Sequence, residues 1–147
     1  MASRRKGRIL AFQALYFWEA SSRRVPVEEL VSFAWLEEKK LKSLGESTIA
    51  FTNILIAGSI ENIKNIDKII KDHLEKWDIT RVNRVDLAVL RMSVFSLMFQ
   101  EEISSSIIID EAIGICREFS TDDSYKFING VLDSIRETLQ KQKKSHA

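Results

Sequence analysis

Two runs in this chain of 147 residues combine side chains suited to holding a polyanion. The first is Arg4-Arg5-Lys6-Gly7-Arg8, which leads straight into an apolar helical pattern. Arginine offers phosphate a planar fork of donors and offers a base a flat stacking face. Arg4 and Arg8 share one helix face, Lys6 and Gln13 another, and the polar face reaches Tyr16, an aromatic suited either to the core or to the binding surface. The second run is Asp122-Asp123-Ser124-Tyr125-Lys126-Phe127-Ile128-Asn129-Gly130. As a helix it places Lys126, Asn129 and Asp133 on one side, with Lys126 suited to a phosphate and Asn129 to a base edge or backbone. Phe127 fits core packing or stacking on an unpaired base, the usual way single-stranded RNA is held. Gly130 lies inside this helical pattern, where glycine costs up to about 1 kcal/mol relative to alanine. Something should therefore approach the helix there, either another helix or a ligand.

Templates for catalysis find little to match. Gly7, Gly45, Gly58, Gly114 and Gly130 are isolated, so there is no phosphate-cradling glycine loop. His73 has no partner at metal-ligand spacing and reads as a solvated residue on a charged helix face, while His146 lies near the C-terminus. Helix capping accounts for Asp122–Asp123 and a solvated face for Asp110–Glu111. No enzyme activity, metal or cofactor is expected. The single cysteine, Cys116, sits in an apolar context and reads as a small core residue; no intramolecular disulfide is possible, as suits a reducing cytoplasm. No window approaches the roughly 18 apolar residues of a membrane span.

The net charge of +1 conceals an asymmetry. Residues 1–24 carry Arg4, Arg5, Lys6, Arg8, Arg23 and Arg24 against Glu19, and residues 136–147 carry Arg136, Lys141, Lys143 and Lys144 against Glu137. The intervening stretch is acidic. Basic ends on an acidic body are expected if the ends meet nucleic acid.

The elements positioning these residues read as helices almost throughout, since five glycines and one proline leave little turn chemistry for a sheet. The pattern predicts about seven helices: from Arg4 to Ala20; from Pro26 to about Lys40, with Leu30, Phe33 and Ala34 near one face; and a long one capped by Ser47, bent or restarted at Asn62 and Asn65. Next comes a short one bearing Ile66, Ile69, Ile70 and Leu74 and ending near Trp77. Then follow a helix from Val82 to Phe99 capped by Thr80, one led by Ile107–Ile109, and a last one from Asp122 to about Gln140. The stretch from Val82 to Phe99 is apolar on nearly every side and is expected at the centre. The expected architecture is a single all-α domain over 1–147 in two packed small helical bundles, with subdomains of about 1–64 and 65–140 and a disordered tail over 141–147.

These residues also carry a family resemblance. RRKGRILAFQALYFWE resembles the N-terminal helix of NusB, the bacterial transcription antitermination factor; WDITRVNRVDLAVLRMSVFSL resembles its central helix, and IIIDEAIGICREFSTDDSYKFINGVLDSI its last two. The matches are colinear from Arg4 to Ile135. The resemblance implies binding of boxA, a short single-stranded element of ribosomal RNA leaders, together with the small-subunit ribosomal protein NusE, within the RNA polymerase antitermination complex. Carried over by position, the RNA-binding residues would be Arg4, Arg5, Lys6, Arg8, Gln13 and Tyr16, with Asp123, Ser124, Lys126, Phe127 and Asn129. Asp86 and Arg91, taken to lie on the exposed side of the central helix, would contact NusE, although Arg91 could instead be an ion-pair partner within the fold. Gly7 would weaken the helix locally, so that the basic arm orders only on RNA. Three alternatives stand beside this reading: a NusB-like protein-interaction scaffold, a homodimer hiding the RNA arm, and the RNA-binding domain of a truncated RNA methyltransferase.

Overall fold

The computed structural model describes residues 2–75 and 78–146. Its described elements are eight α-helices and one 3-10 turn, with no strand among the described residues. They fall into two compact units, Met1–Glu61 and Asn62–Ala147.

The first unit holds α1 (Ala2–Ala20), α2 (Val27–Val31), α3 (Glu38–Ser43) and α4 (Glu46–Glu61). Its main packing is α1 against α4. On α1 the buried positions include Gly7, Ala11, Ala14 and Trp18, and on α4 Thr48, Thr52, Leu55 and Ser59, each set at the helical spacing of three to four. The small residues on both faces let the helices approach closely. Gly7 is buried, and a Cβ there would lie 2.9 Å from Phe51 Cδ2 and 2.9 Å from Thr52 Oγ1. The glycine therefore serves helix packing, and α1 is continuous through it. This corrects the expectation of an arm that orders only on RNA.

The helix expected from Pro26 to Lys40 is two short helices instead. Phe33 takes a left-handed backbone (φ 60°) while its side chain is buried. The Ala34 N–H donates to the Glu29 carbonyl and the Phe33 N–H to the Leu30 carbonyl, closing α2 in a Schellman turn. The left-handed conformation costs roughly 1–2 kcal/mol, but burying a phenyl ring contributes about 1.5–3 kcal/mol, so the ring decides where α2 stops. Ser22 (φ 57°) ends α1 in the same way, with the Arg23 N–H donating to the Trp18 carbonyl.

The second unit holds α5 (Ile63–Asp72), a 3-10 turn (Ile79–Arg81), α6 (Arg84–Phe99), α7 (Ser105–Phe119) and α8 (Ser124–His146). α6 packs against α5, α7 and α8, and every residue from Asp86 to Ser96 is buried, as its all-round apolar pattern requires. Its cap is Asn83, whose Oδ1 accepts from the Val85 and Asp86 N–H groups; Thr80, expected as the cap, lies in the preceding 3-10 turn. The short helix expected to end near Trp77 ends instead at Asp72, where the His73 N–H donates to the Ile70 carbonyl; Trp77 itself lies outside the described residues. Ile107–Ile109 join α7. α8 runs on to His146, so residues 141–146 continue the helix rather than forming a disordered tail. Lysine and glutamine are good helix formers, cations favour the negative end of the helix dipole, and Lys143 Nζ meets Glu101 Oε1 at 2.8 Å.

Candidate nucleic-acid interface

Each unit carries one of the two runs of candidate residues. In the first, the opening turns of α1 bring the basic side chains together. No acid stands in the first turn of this helix. Its unsatisfied N–H groups and positive dipole end therefore add to the charge of Arg4, Arg5 and Lys6, as suits an anion. Arg4 and Lys6 are exposed and Arg5 is half-buried. The Arg4 guanidinium lies 4.3 Å from the centre of the Phe51 ring, which orients its fork without neutralising it. Arg8 is only 5% exposed and also stacks on Phe51, at 5.2 Å. It is a packing residue at the α1–α4 contact, which corrects its placement on the exposed binding face. Gln13 is half-buried, and Tyr16 is 40% exposed and so outside the core.

In the second unit, the turn before α8 presents Asp123 to solvent and the start of α8 presents Lys126 and Asn129, with Phe127 half-buried between the last two. Ser124 is buried and corrects the expectation of a contact residue. Its hydroxyl lies 2.9 Å from that of Ser120 and 2.7 Å from that of Thr121, and Ser120 Oγ donates to Asp86 Oδ1 at 2.7 Å. This hydroxyl chain fixes the turn between α7 and α8. Asp86 and Arg91 are each 4% exposed, so the expectation that they lie on the exposed side of the central helix is wrong. Asp86 anchors the turn, while Arg91 forms a two-pronged ion pair with Asp67 of α5, Nε to Oδ1 and Nη2 to Oδ2 both at 2.9 Å. Arg117 was not singled out from sequence; it stacks at 4.3 Å on Tyr125, whose other neighbour is Lys126 Nζ at 6.0 Å, and so adds positive charge beside Lys126. No local pattern announces it, because the pairing crosses between α7 and α8.

Gly130 is exposed, and no described atom lies within 4 Å of where its Cβ would be. The helix expected to approach it is absent among the described residues. His73 is half-buried and not a solvated side chain: its Nδ1–H donates to the Ile69 carbonyl (2.7 Å), and its Nε2 lies in hydrogen-bond contact with the Thr138 hydroxyl (2.8 Å). Burial, and secondarily the neighbouring Asp86 carboxylate, push the Cys116 thiol up to about 12. Among the described residues no three His, Cys, Asp or Glu side chains are placed to hold a metal ion, and no helix is long and apolar enough to cross a membrane.

The sequence model of the NusB family matches residues 5–137. The chain belongs to the NusB family. The transcription antitermination protein NusB of Treponema denticola is 47% identical over 133 residues, covering 90% of this chain and 95% of that protein. NusB of Treponema pallidum is 44% identical, over 90% and 91%. Among solved structures, T. maritima NusB superposes with a TM-score of 0.81 at 33% identity, covering 91% of this chain and 90% of that one. A crystal structure of the antitermination factors NusB and NusE in complex with double-stranded RNA matches with a TM-score of 0.81 at 27% identity, over 94% and 98%. The all-helical NusB fold read from the sequence is therefore the fold of this chain.

Proposed function

We propose that the chain is a transcription antitermination factor that binds single-stranded boxA-type RNA of ribosomal RNA leaders together with ribosomal protein NusE. It acts in the cytoplasm as a non-catalytic part of the RNA polymerase antitermination complex. The observation that carries the RNA reading is the concentration of Arg4, Arg5 and Lys6 on the opening turns of an acid-free helix N-terminus. Relatives of close to half identity bear the antitermination name, and a structural neighbour holds NusE and RNA together. Phosphate contacts by this cluster and by Lys126 supply affinity; Tyr16, Phe127, Asn129 and Gln13 contact bases or sugars; Asp123 accepts from a base or ribose donor. The placement of His73 and Cys116 supports a binding role over catalysis, since the first is held at both ring nitrogens and the second is a buried, protonated thiol.

The test is a gel shift with a boxA-type RNA, with and without NusE, for the wild-type chain, Lys6→Ala and Lys126→Ala. Specific binding strengthened by NusE and weakened in both variants is the expected result. Wild-type binding equal to that of a scrambled RNA, or variants that bind as the wild type does, would refute the reading.

A further inference from the structure

We propose that the hollow over Gly130 on α8 is a subsite for one unstacked nucleobase of the bound RNA. The proposal rests on the RNA-binding reading above and adds to it a place where a base is received. The hollow measures about 430 Å³ and lies in the second unit, with Phe127, Gly130 and Ser134 of α8 on one side and His73 and Glu75 on the other. A glycine in the middle of a helix weakens it unless a close approach requires the missing side chain. At Gly7 that approach is made by Phe51 and Thr52; at Gly130 no described atom makes it. Among the described residues nothing fills the space over Gly130, which lies next to a half-buried phenyl ring and an exposed ammonium.

A planar base lying over the bare turn of helix meets these groups in a consistent way. The Phe127 ring supplies the stacking or edge contact by which unpaired bases are held. Lys126 lines the same hollow, where it can meet the phosphate of that nucleotide. Glu75 offers an acceptor and Ser134 a hydroxyl to the edge of the base. His73 serves as wall, because its ring is already bonded to Ile69 and Thr138.

The test uses the full chain with NusE and a single-stranded boxA-type RNA, comparing Gly130→Ala and Gly130→Leu with the wild type. Both new residues are better helix formers than glycine and enter open space, so neither lowers the melting temperature. Gly130→Leu occupies the place of the base and weakens RNA binding by about tenfold or more, and Gly130→Ala weakens it less. A set of RNAs each lacking one base identifies the occupant. One abasic RNA binds the wild type as weakly as intact RNA binds Gly130→Leu, and loses nothing further on that variant. The proposal is overturned if both variants bind like the wild type while Lys126→Ala is impaired, a result that leaves the RNA reading standing. It is also overturned if every abasic loss simply adds to that of Gly130→Leu. A wild-type chain that fails to bind the RNA removes the subsite and the underlying reading together.

Discussion

A methyl group added at Gly7 would press on two side chains that have nowhere to go. Phe51 is buried under the Arg4 and Arg8 guanidinium groups, and Thr52 Oγ1 is committed to the Thr48 carbonyl at 2.7 Å. Gly7→Ala gains up to about 1 kcal/mol of helix propensity but incurs an overpacking cost of about 1–3 kcal/mol. The expected outcome is a lower melting temperature, read by circular dichroism. Cys116 provides a second test at this scale. With its thiol held protonated, the native chain should not react with a disulfide-exchange reagent near neutral pH and should react once unfolded. Its folded pKa of about 12 lies above the ordinary 9.0, so the stability it contributes is complete below pH 9.0 and is lost as pH rises toward 12. Urea midpoints measured across that range should fall less steeply for Cys116→Ala than for the wild type. The sequence marked Gly130 as needing a reason and Gly7 as a weak point in the arm, but could not tell a packed neighbour from open space. Both residues sit in ordinary helical patterns, and what lies above each belongs to the tertiary fold.

Among the elements, α6 was the most legible, because a helix apolar on all sides can only be central. The same purity misled over Asp86 and Arg91, since charges in such a helix read as its exposed edge. Their partners are remote in sequence, Ser120 at a separation of 34 and Asp67 at 24. The Arg91 and Asp67 side chains are 5% and 17% exposed. Removing Asp67 takes both prongs of this pair from a guanidinium held out of water, at a cost of about 3–5 kcal/mol. Asp67→Ala should therefore lose that amount in denaturant titration, whereas Lys68→Ala, which breaks an exposed pair with Asp72, should change stability by no more than about 0.5 kcal/mol. The break between α2 and α3 was illegible for a related reason. Phe33 fits a helical stripe, and only its burial in a left-handed turn ends the helix.

Over the whole molecule, the charge asymmetry visible in composition remains the strongest sign of a polyanionic partner, and the comparisons fix the family. The site was legible in part. Arg4, Lys6, Tyr16, Asp123, Lys126 and Asn129 reach the surface, as the proposed binding role would need, while Arg8 and Ser124 do not. Polar residues near a cluster look alike in sequence whether they face solvent or close an internal contact. Phe127→Ala should weaken RNA binding by about 1–3 kcal/mol if the ring stacks on a base, with a stability loss below the 3–5 kcal/mol of a fully buried phenylalanine, because the ring is half-buried. Affinity and melting temperature measured side by side check this.

The most direct test is the salt dependence of boxA RNA affinity for the wild type and the Lys6→Ala/Lys126→Ala double variant. Binding through phosphates predicts a linear fall of log K with log salt, shallower in the double variant by about 1.4 for two lost single-strand contacts. Equal slopes for the two proteins, or a wild-type affinity indifferent to salt, would contradict the assignment of these cations to the RNA backbone.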